Sequence, residues 1–424
     1  MHDLRMVREQ MHVLRDGFAR RGTLDTLGPI LDRLDGLERE RRATINAVEE
    51  RKQQRNEITQ QVARMKRSGE DAGALMEDSR VIGAQIARLE ADLTATESTI
   101  AGLMLELPNI PHASVPAGDE THNAVIRAWG TPREDHTVRP HWEVATELGM
   151  LDLARGAKIS GSGFIVYRGA GARLVRALIN LMLDTHTTVH GYEETWVPLV
   201  VNRASMTGTG QLPKFEDDMY VLHGDDLFLI PTAEVPVTNL YRDEIMDLGD
   251  LPKALTAYSA CFRKEAGAAG KDTRGLLRVH EFDKVELVRY AVPETSDEQL
   301  EQLTGHAEAI LQLLDLPYRV LLLAAGDTGF SSRKTYDLEV WASGVGKWLE
   351  VSSCSNFGDF QARRMNIRYR PAPGEKPRFV HTLNGSGLAL PRIIAALLEH
   401  GQRADGSIAI PAALQPYLGT SRLG

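Results

Sequence analysis

The sequence predicts an α+β protein: an N-terminal antiparallel coiled-coil hairpin within residues 1–108, then a domain over residues 109–424 built on a mainly antiparallel β-sheet flanked by helices. Three observations carry this. The tract from Leu27 to Leu107 holds no proline after Pro29 and is rich in Arg, Glu, Gln, Ala and Leu. A glycine-bearing break at residues 68–73 divides it into two runs. From about Asn123 the pattern turns to short apolar strands and glycines, with connections mostly too short for parallel crossovers.

In the second run, Ile82, Ile86, Leu89, Leu93, Thr96, Ile100, Leu103 and Leu107 keep a three-four spacing, the seam of one coiled-coil helix. The first run places Leu31, Leu34, Ile45, Val48, Ile58, Val62 and Met65 on a comparable stripe. Arg41, Lys52 and Arg55 interrupt it, and their aliphatic stems can lie along apolar surface. Helices joined by so short a turn return antiparallel. At thirty-odd residues apiece they make an arm on the order of 50 Å long. Pro108-Asn109-Ile110-Pro111 then ends the second helix. Such an arm suits a spacer, a dimerisation device or a reading head for a partner. The first helix carries Arg39, Arg41, Arg42, Arg51, Lys52, Arg55, Arg64, Lys66 and Arg67, which suit phosphate contacts. The interleaved Glu38, Glu40, Glu49, Glu50 and Glu57 equally suit a solvated face of mixed charge.

With 49 basic and 58 acidic side chains the net charge is −9, which argues against a non-specific coat on nucleic acid and leaves local basic patches open. The first residues lack the apolar centre of a secretory signal, and no apolar run nears the roughly 20 residues that span a bilayer. The expectation is a cytoplasmic protein with no membrane partner. Cys261 and Cys354 form neither a CxxC pair nor a Cys-rich zinc site, so no zinc is expected. Both fall in expected strands as small core residues.

In the second domain, residues 171–183 read as an amphipathic helix and 194–198 as a short strand. Residues 254–265 and 278–290 form a long antiparallel hairpin around a Gly-rich loop, 335–341 and 348–352 add strands, and 390–400 is a helix. Three familiar signals fail. Gly267-Ala268-Ala269-Gly270-Lys271-Asp272 lacks the first glycine and the Ser/Thr of a phosphate-binding loop. Gly169-Ala170-Gly171 lacks the third glycine of a dinucleotide site. His186 and His190 have metal-ligand spacing but no third ligand nearby, and histidine suits a helix C-terminus.

Polar clusters remain. Alternation puts Phe282, Lys284 and Glu286 on one face of the returning hairpin strand, opposite the run Cys261-Phe262-Arg263-Lys264-Glu265. An arginine, an aromatic ring and a carboxylate on one face suit a nucleotide with a cation; surface salt bridging suits the same residues. Glu350-Val351-Ser352-Ser353, Asn384-Gly385-Ser386-Gly387 and Arg392 add oxygen donors and a second guanidinium.

Arg263-Lys264-Glu265-Ala266-Gly267-Ala268-Ala269-Gly270-Lys271-Asp272-Thr273-Arg274-Gly275-Leu276, continuing to Glu286, closely resembles motif 2 of bacterial seryl-tRNA synthetases, which are class II aminoacyl-tRNA synthetases. Gly385-Ser386-Gly387-Leu388-Ala389-Leu390-Pro391-Arg392 resembles motif 3, and residues 171–198 resemble motif 1, the dimer-forming helix and strand. Residues 207–215, Pro231-Thr232-Ala233-Glu234 and Ser352-Ser353-Cys354-Ser355-Asn356-Phe357 also match, and the similarity runs through the arm.

The resemblance implies a homodimeric ligase that activates L-serine with ATP and Mg²⁺ and passes it to tRNA-Ser, with tRNA-Sec a second candidate acceptor. It implies Thr232, Ala233 and Glu234 on the amino side of serine, and Glu286, Asn384 and Ser386 towards its hydroxyl. ATP falls to Arg263, Lys264, Glu265, Val279, Phe282, Glu350, Val351, Ser352, Ser353 and Arg392, with Arg263 and Arg392 catalytic and Glu350 and Ser353 holding the metal. On the arm it implies Arg39, Arg42, Arg51, Arg55, Arg64, Lys66 and Arg67 as tRNA contacts. Two positions depart from the family pattern: Lys264 stands where serine is common, and residues 342–348 lack a proline-containing turn. Two rivals stand beside this reading: a paralogue that loads serine onto a carrier protein or biosynthetic acceptor, and a coiled-coil interaction protein with a dead catalytic domain. The long arm argues against the first, and the retained Arg263, Glu286, Glu350 and Arg392 against the second.

Overall fold

The computed structural model describes residues 1–135, 137–266 and 274–424. The chain divides into two compact units, His2–Leu107 and Pro108–Gly424, with Met1 grouped in the second.

In the first unit, two short helices that the sequence pattern did not predict, α1 (Leu4–Glu9) and α2 (Met11–Arg20), pack on α3 (Leu24–Ser68). Leu14, Phe18, Leu31 and Leu34 are fully buried, and their burial holds these pieces together. The antiparallel partner of α3 is α4 (Gly73–Leu105). Arg41 pairs with Glu97 at 2.8 Å and Lys52 with Glu90 at 2.7 Å, so the partners recede along α4 as α3 advances. Two of the three basic residues that interrupt the apolar stripe are thus cross-hairpin ties. All the stripe residues on both helices are buried or half-buried.

The first helix is longer than expected. At 45 residues α3 spans about 68 Å, against about 50 Å for the 33 residues of α4. It starts before Pro29 and runs through it. A proline near a helix start removes one N–H, and here the buried Leu31 and Leu34 hold the helix past it. Gly69 ends α3 at φ 79°, a left-handed position that glycine takes without a Cβ clash. The Asp71 carboxylate then accepts the Gly73 N–H at 2.9 Å to begin α4.

The second unit is organised by an eight-stranded sheet. Its strands are β1 (Ala124–Trp129), β2 (Glu193–Glu194), β3 (Lys253–Phe262), β4 (Glu281–Ala291), β5 (Tyr318–Leu322), β6 (Lys334–Ala342), β7 (Lys347–Gly358) and β8 (His381–Ala389). They lie in the order β1-β5-β6-β7-β8-β4-β3-β2, antiparallel except for the parallel β2–β3 pair. One face packs on α6 (Ala170–Thr188), α7 (Ser296–Leu313) and α8 (Leu390–His400), burying Leu174, Leu178, Leu303, Leu338, Leu383 and Ile393 in the main core. A smaller core of Val237, Leu255, Val288, Tyr290 and Tyr369 covers one end of the opposite face. The rest of that face is polar.

Three boundaries differ from expectation. The 194–198 strand pairs only at Glu193 and Glu194, with a last bond from Thr195 N–H to the Thr256 carbonyl at 2.7 Å; Trp196 is then turned out to solvent and Pro198 has no N–H to donate. The β3–β4 register ends at Phe262 opposite Glu281, with a last bond from the Arg263 N–H to the His280 carbonyl at 2.8 Å, and Glu265 lies beyond it at φ 52°. The strand expected over 348–352 runs on to Gly358 in β7, and 385–387, outside every expected element, lie in β8.

Those two strands each carry an irregularity at the polar face. Glu350 pairs with Glu339 and Ser352 with Leu338, so Val351 is one extra residue in β7 against β6. Ser386 pairs with Glu286 and Leu388 with Val285, so Gly387 is one extra residue in β8 against β4. A bulge of this kind shifts side-chain parity by one and bends the strand.

Candidate active site

The polar face opens into a cavity of about 840 Å³, continuous with one of about 230 Å³ through shared walls that include Arg263, Lys284, Glu350 and Ser386. The regular β3–β4 register sets the first wall. Cys261 lies opposite Phe282, and the Arg263 guanidinium sits 5.1 Å above the Phe282 ring. Lys284 and Glu286 follow on the same face. The alternation read from the sequence is the one the strand adopts.

Glu286 is the centre of a buried polar cluster. It accepts from Thr232 Oγ1 at 3.0 Å and Asn384 Nδ2 at 2.9 Å, and it ion-pairs with Lys284. Lys284 Nζ also donates to Thr232 Oγ1, at 2.9 Å. Buried carboxylates need such partners, since an unpaired one costs several kcal/mol, on the order of 3–5. Glu234 lies beside the cluster and accepts from Gln361 Nε2 at 2.7 Å. Its burial, reinforced by the facing Glu286, pushes its carboxyl up to about 7. Lys284 and Gln361 had no assigned role in the sequence reading. Lys284 was legible from the alternation, whereas Gln361 arrives from a distant short helix, Phe360–Met365.

The opposite wall is acidic. The bulge at Val351 brings Glu350 and Ser353 to the same face, beside Asp337 and Glu339 of β6. Asp337 and Glu339 were missed, although their alternation with the core residues Tyr336 and Leu338 marks them. Asp337 Oδ1 is buried without a hydrogen-bond partner, and burial together with the Glu350 charge pushes its carboxyl well above the usual range. Among the described residues no three acidic, His or Cys side chains converge at metal-ligand spacing. A wall offering Glu350, Ser353 and an unsatisfied Asp337 oxygen fits a hard cation that takes few protein donors and completes its shell from phosphate and water.

Arg392, at the start of α8, closes the smaller cavity. Its Nε donates to the Leu277 carbonyl at 3.1 Å and its Nη1 to the Glu350 carbonyl at 2.8 Å. Val279, Phe282 and Val351 line the same space, and Glu265 pairs there with Arg278. Four expected residues stand back from the walls, the first being Glu286, buried behind Thr232, Lys284 and Asn384. Lys264 is exposed, with its backbone N–H on the Asp218 carbonyl. Ala233 is fully buried and leads into the helix carrying Glu234. Ser352 is buried and donates to the Ser386 carbonyl at 2.7 Å, tying β7 to β8. The loop residues Gly267-Ala268-Ala269-Gly270-Lys271-Asp272-Thr273, including the rejected phosphate-binding signal, lie outside the described residues.

On the arm, Arg39, Arg42, Arg51, Arg64, Lys66 and Arg67 are exposed and Arg55 is half-buried. Cys261 and Cys354 are free and buried. No described helix is long and apolar enough to cross a membrane.

An antiparallel sheet whose polar face presents one arginine from a strand hairpin and another from the helix after the last strand is the core of a class II aminoacyl-tRNA synthetase. Residues 214–401 match the family model described as the tRNA synthetase class II core domain (G, H, P, S and T), and residues 1–111 match the seryl-tRNA synthetase N-terminal domain. The chain belongs to the seryl-tRNA synthetase family. A serine–tRNA ligase of Gemmatimonas aurantiaca is 68% identical over 424 residues, covering 100% of both chains. One from Geobacillus kaustophilus is 53% identical, covering 99% of each. The crystal structure of seryl-tRNA synthetase from Pyrococcus horikoshii complexed with ATP superposes with a TM-score of 0.95 at 38% identity, covering 100% of this chain and 99% of that one.

Proposed function

We propose that the protein activates L-serine with ATP and transfers it to the 3′ end of tRNA-Ser. Residues 109–424 carry the chemistry and residues 1–108 hold the tRNA. The observation that carries this reading is the meeting of Glu234, Arg263 and Arg392 around one continuous space, with Glu286 buried directly behind the wall residues Thr232 and Asn384.

In this reading the serine ammonium lies against Thr232 and Glu234, and its hydroxyl reaches towards Glu286 and Ser386, with Asn384 bracing Glu286. Arg263 contacts both the serine carboxylate and the α-phosphate. Adenine stacks on Phe282 near Glu265, between Val279 and Val351, and Arg392 holds the triphosphate. A carboxylate oxygen of serine attacks the α-phosphorus in line; the new O–P bond forms as the bond to the β-phosphate oxygen breaks and pyrophosphate leaves. The 3′-terminal hydroxyl of tRNA then attacks the serine carbonyl carbon and AMP leaves. Both steps need alignment and charge neutralisation more than a general base, and two guanidiniums supply these. Mg²⁺, held by Glu350 and Ser353, would add charge neutralisation at the phosphates. A pocket that bonds the serine hydroxyl favours serine over alanine, which offers nothing in place of that bond; sites of this kind discriminate by roughly 10⁴-fold.

The protein acts as a cytoplasmic homodimer on this reading. Val189 and Trp196, 74% and 79% exposed beside α6, are the apolar surface that supports it. Charging of bulk bacterial tRNA with labelled serine tests the function: acid-precipitable serine that depends on ATP is expected. Serine-dependent pyrophosphate exchange without charging of tRNA-Ser would instead mark a carrier-loading enzyme.

Glu234 gives the site a pH signature. Its folded value, about 7, lies above the usual carboxylate value. The stability it contributes is therefore full below about 4.5 and lost as pH rises through about 7. An arriving ammonium favours the carboxylate and expels the proton. Calorimetry at pH 6.5 in buffers of different ionisation enthalpy should show release of roughly three-quarters of a proton per serine bound. Glu234→Gln should abolish that release; undiminished release in the variant would place the proton elsewhere.

A further inference from the structure

The described residues on the returning side of the 263–281 loop, 274–276, are seated on two residues that none of the motifs above includes. His141 and Trp142 open α5 (His141–Glu147). His141 and Glu399, in the last turn of α8, are both fully buried. One Glu399 oxygen accepts from His141 Nδ1 at 2.7 Å and from the His141 backbone N–H at 3.0 Å. The other accepts the backbone N–H groups of Gly344 at 2.8 Å and Val345 at 3.3 Å. Four donors satisfy the two oxygens of this carboxylate. With Nδ1 facing a carboxylate, the imidazole carries its proton there and Nε2 is left as an acceptor.

That acceptor takes the backbone N–H of Leu276 at 3.0 Å. The neighbouring residues make the same seat. A Cβ on Gly275, which sits at φ 62°, would come within 2.5 Å of His141 Nε2 and 3.0 Å of Trp142 Cβ. The Arg274 guanidinium lies 5.2 Å from the Trp142 ring centroid. Three consecutive loop residues thus rest on His141-Trp142, each by a different contact. Immediately beyond them the chain becomes the nucleotide wall: the Leu277 carbonyl that receives Arg392, then Arg278 and Val279.

We propose that His141, held by Glu399, is a positioning residue for the nucleotide: it sets the height and direction of the returning loop limb, and through Leu277 the placement of Arg392. The inference rests on the nucleotide reading of the smaller cavity. A His–Glu pair that served packing alone would leave Nε2 facing side chains. Here it holds one specific backbone N–H at the entrance to the site.

The test uses serine-dependent pyrophosphate exchange by the full-length protein and amide hydrogen exchange at Leu276. His141→Phe keeps an aromatic ring, somewhat larger than imidazole, and removes both side-chain hydrogen bonds. It should raise the KM for ATP about tenfold, leave the KM for serine within about twofold, and accelerate exchange at Leu276. Gly275→Ala leaves His141 in place but pushes the limb off its seat, and should give the same split between the two KM values. The double variant should be no worse than the more severe single one, because both act on the same contact. A folded His141→Phe or Gly275→Ala protein with parental ATP KM overturns the proposal, as does an equal rise in both KM values. Failure of the parent protein itself to exchange pyrophosphate would overturn the nucleotide reading, which separates the two failures.

Discussion

Arg263→Ala should lower serine-dependent ATP–pyrophosphate exchange about 10³-fold, with little change in stability. The side chain is exposed to the cavity, so its removal opens no hole in the core and the unfolding midpoint should stay close to that of the parent. Its guanidinium lines both parts of the cavity and stacks on Phe282, where it reaches the α-phosphate and the serine carboxylate together in the proposed complex. Arg263→Lys should recover only part of the loss, since a point charge cannot make two parallel hydrogen bonds and the stack at once. Steady-state exchange kinetics decide it. A folded Arg263→Ala variant with near-parental exchange would remove Arg263 from the chemistry and with it the site assignment.

Shortening the arm should separate the two half-reactions. Removing residues 43–95 with a short turn in their place keeps the Arg41–Glu97 tie at the base of the excision and discards Arg51, Arg55, Arg64, Lys66 and Arg67. Pyrophosphate exchange should remain within about twofold of the parent, while charging of tRNA-Ser falls about 100-fold or more at moderate salt, the loss expected when several phosphate contacts disappear together. The salt dependence of the tRNA KM should flatten by roughly one unit of logarithmic slope for each phosphate no longer neutralised. Equal charging by the shortened protein would make the arm a spacer or an assembly device.

The reach of the sequence alone depended on whether a feature is local or assembled from distant segments. The hairpin arm was legible because its seam is a local periodicity, and its cross-ties of Arg41 to Glu97 and Lys52 to Glu90 follow once the turn is placed. Phe282, Lys284 and Glu286 were legible as one face because β3 and β4 pair without a break. The helix start before Pro29 was not, since burial of Leu31 and Leu34 overrides a local stop signal. Nor was the shared face of Glu350 and Ser353: three positions apart, they fall on opposite sides of any regular strand. Glu399, His141 and Leu276 are far apart in the chain, and no spacing rule brings them together. The resemblance to known synthetases assigned roles to most of the pocket. The bonding of Lys284, the unpaired oxygen of Asp337 and the presence of Gln361 required the packed structure.

The extra residues in β7 and β8 also say what kind of change these strands tolerate. Val351 and Gly387 are surplus positions in adjoining strands, and deleting either would leave every side chain on its present side of the sheet. The casualty would be curvature: the sheet would flatten under the pocket instead of cupping it. Loss or gain of a residue elsewhere within either strand does the reverse, turning the pocket's own side chains into the core. The concavity of the site is therefore encoded as chain length, at positions where the count matters more than the letter.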